Sequence, residues 1–300
     1  MRRRARDGVD LRWLTARSWT NRWYPQGIDV GVLRGRRMLA VSWFRQDRSR
    51  THLASRVSFV DLARPRHLDV ALAVEGDAGA LEPARIHTGG LAWVGDRLFA
   101  AATRQGIWEF DLSDLRTVRG AEARRLTGSS RRRALVAVRT RVHPVALRCS
   151  FLARSFDGSG RATGRVLIGE FRTDDDGRIG EFGLTDDGLA PLREFAPGIR
   201  HMQGAASWGD EVFVSQSDGL RPGALWRGAF GRLRRTAVAL PRGCQDIALD
   251  GDARMLWTLG EHPWRRVVRG IPFAALGLDS APPRARRRGP RLGTGHSSRT

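Results

Sequence analysis

Apolar residues along this chain come in short runs, separated by Gly, Asp, Arg and Ser rather than by long polar stretches. Runs of that length, bounded by turn residues and rich in Val, Ile, Phe and Trp, predict strands and not helices. The first four lie at 26–33, 36–44, 56–63 and 68–74, and four such runs joined by turns predict one antiparallel sheet. A second group follows at 89–94, 97–103, 106–115 and, weakly, 116–126. In 107–112, strict alternation sets Ile107, Glu109 and Asp111 on one face and Trp108, Phe110 and Leu112 on the other, which predicts a strand with one buried face. The stretch 119–134, RGAEARRLTGSSRRRA, is Arg-, Ser- and Gly-rich and predicts a loop. The third group is the least regular, with runs at 134–148, 149–156, 165–174, 178–184 and 189–195. A fourth group occupies 203–241 and a fifth 244–276, the fifth with three clear runs only.

The groups are copies of one unit. The segment 87–103, HTGGLAWVGDRLFAAAT, returns 114 positions later as HMQGAASWGDEVFVSQS, with six of 17 positions identical. Weaker copies begin at Pro25 and at Cys244. In both strong copies a Gly-Asp pair joins two strands, the chemistry of a tight hairpin turn, since Gly supplies positive φ and Asp tolerates the next position. Units starting near Gln26, Gly89, His143, Gln203 and Gln245 are 42 to 63 residues apart, about the size of a four-stranded sheet repeat. The pattern therefore predicts an all-β fold, a β-propeller of five four-stranded blades, with room for a sixth in the stretched third unit. The segment 9–14 is expected to supply the missing strand of the fifth unit and so remove an exposed sheet edge. The expected domain plan is a basic, disordered arm at 1–8, a single propeller domain at 9–276 and a basic, disordered tail at 277–300.

In a propeller the loop leading into each inner strand opens at one mouth of the central channel, so residues far apart in sequence converge there. Those positions hold Tyr24 and Gln26, His87, His143, His201 and Gln203, and Gln245 and Asp246. Amides and imidazoles in a ring can hydrogen-bond a polar ligand such as a sugar. Two readings stay open: these side chains face a ligand, or they bond the backbone of the neighbouring blade and fix blade to blade. Asp29 and Asp246 are the carboxylates nearest the starts of inner strands, and they carry the alternative, a polysaccharide-active glycoside hydrolase with two carboxyl groups roughly 5 to 9.5 Å apart. No nucleophile-elbow, zinc-protease or phosphate-loop motif is present. No catalytic residue is otherwise expected, and neither a cofactor nor a metal site; the Asp-rich 173–178 lacks the alternating ligands of a calcium loop.

Charge changes the picture of partners. The net charge is +21, and every one of the 52 basic residues is arginine. Ten arginines lie in the two terminal stretches, and setting them aside leaves +11 on the body. A field of that sign favours a glycan or another polyanionic polymer as partner. Specific nucleic-acid binding is not expected, because the ten Trp fall mostly in strand patterns and no binding signature appears. No apolar run is long enough to predict a transmembrane segment. Cys149 and Cys244 sit in apolar runs and read as small buried hydrophobes. The N-terminal 20 residues lack an apolar h-region, which predicts a cytoplasmic protein as written, or a secreted one if the true start lies upstream.

Several words of the sequence are similar to those of a family of typically secreted actinobacterial proteins without an established activity. They are Trp23-Tyr24-Pro25-Gln26-Gly27-Ile28, Ala40-Val41-Ser42-Trp43-Phe44, Val57-Ser58-Phe59-Val60-Asp61 and His87-Thr88-Gly89-Gly90-Leu91-Ala92-Trp93. Met202-Gln203-Gly204 and Leu256-Trp257-Thr258-Leu259-Gly260-Glu261-His262-Pro263 belong to the same set, in the same order across residues 20–275. The resemblance implies a propeller-like, extracytoplasmic domain. The chain departs from it in lacking a signal sequence and in reading His143-Pro144 where something closer to Pro-Gln is expected.

Overall fold

A computed structural model describes residues 2–5, 8–13, 19–64 and 66–278. The predicted tail from residue 279 on, and Leu14 of the predicted closing strand, lie outside the described residues. The chain opens with β1 (Arg2–Ala5) and β2 (Gly8–Leu11). A first antiparallel meander follows: β3 (Trp23–Leu33), β4 (Arg36–Gln46), β5 (His52–Asp61) and β6 (His67–Glu75). After the short β7 (Leu81–Pro83) come β8 (Leu91–Val94), β9 (Arg97–Ala101), β10 (Ile107–Asp111), β11 (Arg116–Arg119), helix α1 (Gly120–Thr127) and the long β12 (Arg133–His143). The second meander is β8-β9-β10-β12. The third is β13 (Phe151–Phe156), β14 (Ala162–Gly169), β15 (Ile179–Leu184) and β16 (Leu189–Phe195). The fourth is β17 (Met202–Trp208), β18 (Glu211–Gln216), β19 (Pro222–Ala229) and β20 (Arg232–Arg242). The last comprises β21 (Cys244–Asp250), β22 (Met255–Gly260) and β23 (Val267–Pro272), and β2 returns from the other end of the chain to pair with β23.

The first strand of each meander lies innermost. β3 contacts β8, β8 contacts β13, β13 contacts β17, β17 contacts β21, and β21 contacts β3, so the inner strands close a ring. Where β13 and β17 hydrogen-bond, they run parallel. All-antiparallel meanders set around a ring of inner strands make the fold a β-propeller. As the sequence predicts, its ends are tied by an N-terminal strand: Val9 to Leu11 pairs with Gly270 to Val268, and Asp10 takes both arms of the Arg269 guanidinium at 2.8 and 3.0 Å.

Local chemistry explains the elements. Gly95 and Gly209 turn the two repeated Gly-Asp hairpins at φ of 58° and 57°, the left-handed conformation that glycine adopts without steric cost. The glycines that follow Gln26 and Gln203 have a second reason. A Cβ on Gly27 would stand 2.8 Å from the carbonyl carbon of Gly90, and one on Gly204 would stand 2.7 Å from the amide nitrogen of Ile247. Adjacent inner strands meet backbone to backbone at these points. Meanders also pack face to face, which revises the prediction for β10. Trp108, Phe110 and Leu112 enter one core cluster and Ile107 another, while Glu109 is buried beside Arg97. Both faces are buried, because the sheet is sandwiched between its neighbours.

Three sequence expectations fail, each for a definite reason. The predicted loop at 119–134 contains α1, since Ala121, Ala123, Arg124, Arg125 and Leu126 favour a helix and Gly128 ends it at φ 58°. Ala123 and Leu126, three apart, bury one face against Ala71, Leu81 and Val136. The third unit does not start at His143. Its first half, Leu135 to Val138, pairs in parallel with Val70 to Ala73 of β6, and the rest of β12 pairs with β10, so His143 ends the outer strand of the second meander. The inner strand of the third meander begins only at Phe151. Finally, Arg2–Ala5 of the predicted arm forms a strand paired with β2.

Candidate functional site

The inner strands all start at the same mouth of the channel, and their first residues surround a cavity of about 510 Å3. Gln26 comes from β3, Gln203 from β17 and Gln245 from β21; His87 stands just before β8 and Ser150 just before β13. The structure thus assembles Gln26, His87, Gln203 and Gln245 as the repeats imply, with Ser150 in the place predicted for His143.

A backbone irregularity aims the glutamines. The ladder shifts register between Pro25 and Ile28 in β3, between Met202 and Gly204 in β17, and between Cys244 and Ile247 in β21. Gln26, Gln203 and Gln245 sit at those shifts. A bulge breaks the strict alternation of a strand and re-aims a side chain. Two of the three shifts are braced by a serine on the second strand of the same meander. Ser42 Oγ accepts from Gly27 N at 2.7 Å and donates to Thr88 O of the next meander at 2.8 Å. Ser215 Oγ donates to Gln245 O, also of the next meander, at 2.8 Å. Thr88 and Thr103 beside the cavity hold φ of 54°, a conformation that β-branched residues rarely adopt.

The polar side chains of this mouth are not used up by the fold. Gln245 is 4% exposed, faces the cavity and has no side-chain hydrogen bond among the described residues. The same holds for the amide of the half-buried Gln203 and for the ring nitrogens of His87. Gln26 does have a partner: its Nε2 donates to Glu261 Oε2 at 2.7 Å. Burial raises the Glu261 carboxyl above its ordinary value, against the lowering effect of Gln26. Burial, with the neighbouring His52 and Arg148, pushes the His87 imidazole down to about 3, so the ring is neutral at physiological pH. It can then donate from one nitrogen and accept at the other.

The other predicted residues are elsewhere. Tyr24 stacks on Phe44, which packs against His87 with ring centroids 4.4 Å apart, so Tyr24 backs the site without lining it. His201 stacks on Phe171, a lining residue, at 5.7 Å and stands one layer behind the cavity. His143 is buried against Glu109 at 2.7 Å, and Glu109 also takes Arg97, a structural cluster away from the mouth. Asp29 and Asp246 lie inside the ring and line neither mouth. Asp246 replaces the repeat glycine, and its Oδ2 accepts from Ile28 N and Leu91 N at 3.1 and 3.3 Å. Asp29 accepts from Val30 N and Trp93 N and is clamped by Arg154 at 2.7 and 2.8 Å. Each ties inner strands together across the axis. A pair of buried, strand-tying carboxyl groups cannot flank a glycosidic bond, so the hydrolase geometry expected of Asp29 and Asp246 is not formed.

Sequence reading missed several lining residues: His52, Arg85, Arg104, Arg148 and Glu261. Glu261 directly follows β22 and adjoins Gln26 only through the ring. The arginines carry no signal in a chain with 52 basic residues. The two cysteines are buried as expected, with thiols pushed up by burial to about 12.

No protein-family model matches the sequence, and no curated protein matches it. Among solved structures, the chain is similar to the glutaminyl cyclase of Myxococcus xanthus, with a TM-score of 0.46 and 10% identity over 83% of this chain and 93% of that one. It is also similar to the fungal lectin of Aleuria aurantia, a six-bladed β-propeller that recognises fucose, with a TM-score of 0.39 and 11% identity over 81% of this chain and 72% of that one. A chain of the Mitotic Checkpoint Complex gives a TM-score of 0.37 and 11% identity, over 87% and 98% respectively.

Proposed function

We propose that this protein is a five-bladed propeller that serves as a binding module and takes a hydroxyl-bearing ligand of the glycan class in the cavity at the starts of its inner strands. One observation carries the reading: Gln245, nearly fully buried, faces the cavity with its amide unpaired among the described residues. The amide is held by the packed strand yet its polar atoms are open to the cavity, where a ligand hydroxyl can take the place of water as its hydrogen-bond partner. Gln203 and neutral His87 add further donors and acceptors on the same wall. Sugars present the same mixture of donors and acceptors.

The test is a glycan array on the purified full-length protein, followed by calorimetry on the best ligand. Gln245→Ala and Gln203→Ala should each weaken binding by about 1–3 kcal/mol, or roughly five- to 150-fold, while both variants still melt cooperatively well above the assay temperature. Retention of full affinity in both variants would sink the reading.

A further inference from the structure

The two mouths of the channel differ in how their charges are used. At the mouth where the inner strands end, the cavity of about 490 Å3 is lined by Arg37 and Arg154 together with Asp96, Asp250 and Asp252. Both arginines there are spoken for: Arg37 pairs with Asp250 and, at 3.5 Å, with Asp252, and Arg154 with Asp29 at 2.7 Å. At the mouth holding the glutamines the balance is reversed. Arg85, Arg104 and Arg148 line the cavity, all exposed, and none has an ion pair or side-chain hydrogen bond among the described residues. The single carboxylate among the described lining residues is Glu261, already bonded to Gln26. Three guanidinium groups therefore surround a cavity whose floor is neutral amide, with no ionic partner for them among the described residues.

We infer that the ligand of the glutamine-lined mouth is an anion: a hydroxyl-bearing molecule whose carboxylate, sulfate or phosphate group is held by Arg85, Arg104 and Arg148 while its neutral body meets Gln203 and Gln245. The inference rests on the binding site proposed above. Planar guanidinium groups match such oxyanions with paired N–H donors. Low-dielectric walls around a cavity lined by three guanidinium groups and one carboxyl group concentrate a net positive field at that mouth. The acidic lining at the opposite mouth repels the same ligand, so the two ends of one channel are distinguished by charge alone.

Calorimetry at 0.15 M salt on the full-length protein tests it, with an oligogalacturonate, its fully methyl-esterified neutral form and a sulfated oligosaccharide of the same length as probes. An acid-bearing probe should bind at least tenfold more tightly than the ester. Replacing Arg85, Arg104 and Arg148 together by Gln should remove that advantage. The control variant Arg232→Gln/Arg234→Gln/Arg235→Gln removes the same charge from exposed positions of outer strand β20 and should change affinity less than twofold. Comparison of the uronate and sulfate arms identifies the oxyanion. Equal binding of acid and ester, lost in Gln245→Ala, overturns the anion and leaves the cavity reading intact. Equal weakening by the control variant overturns it as well, by reducing the effect to net charge. Binding of none of the probes overturns both.

Discussion

Asp29 and Asp246 occupy the same channel with opposite electrostatic fates, and that contrast is measurable. Arg154 neutralises Asp29 with two charge-assisted bonds. Asp29→Asn leaves the part-buried Arg154 guanidinium without its counter-charge and should cost about 1.5–3 kcal/mol in denaturant unfolding, the range for hydrogen bonds to charged groups. Among the described residues Asp246 accepts from the backbone of Ile28 and Leu91 and pairs with no cation, and burial raises its carboxyl well above the ordinary value, with Asp29 adding to the rise. A carboxyl raised on folding contributes stability at low pH that is lost as pH climbs above its unfolded value of 3.8. Asn supplies the same acceptor with no proton to lose, so Asp246→Asn should match the wild type near pH 3.5 and exceed it increasingly toward neutrality. A gain that is flat with pH would refute this. His87 titrates in the other sense. Its folded value near 3 against 6.5 means full stability above pH 6.5 and a steady loss as pH falls below it. His87→Gln should flatten that limb of a stability-versus-pH curve. At this scale the sequence singled out both carboxyl groups as those nearest the inner-strand starts, but Asp29 lies in the middle of β3, and neither their burial nor the Arg154 clamp 125 residues away was readable from it.

Strands and turns were the most legible level, because alternation and Gly-Asp turns are local signals. The bulges were not. A register shift changes which face a side chain takes without changing the residues in the run, so Gln203 and Gln245 could be placed at strand starts but not aimed. The misread third unit has the same origin. Leu135 to Val138 form a continuous apolar run suited to an inner strand, but that run is buried because it inserts beside β6 at the junction of two meanders. The close approach of inner strands makes a direct test. Gly204→Ala would press a methyl group against the backbone of Ile247 and Asp246, and should cost about 1–3 kcal/mol as overpacking does. Gly183, whose nearest neighbour would lie 3.9 Å from an added Cβ, should accept Ala within about 0.5 kcal/mol. Thermal melts of the two variants side by side decide whether contact, and not glycine as such, is what the repeat preserves.

At the scale of the molecule, closure depends on one short strand. β2 covers the edge of β23 and Asp10 locks it to Arg269. Deleting residues 1–12 should lower the melting temperature and expose an unpaired edge, detected as concentration-dependent self-association in sedimentation velocity. A truncated protein that stays monomeric with an unchanged melt would show that the ring holds without this tie. The sequence by itself determined the all-β class, the repeat, the hairpin turns and the closing strand, because periodicity, turn chemistry and edge protection are written within a few residues of one another. Only the tertiary structure decided that the glutamines share one cavity, that His143 is excluded from it, and that Arg85, Arg104 and Arg148 stand there without an ion pair among the described residues. Those facts depend on which residues meet across the ring, and a closed ring brings together positions from Gln26 to Glu261 that no local pattern relates.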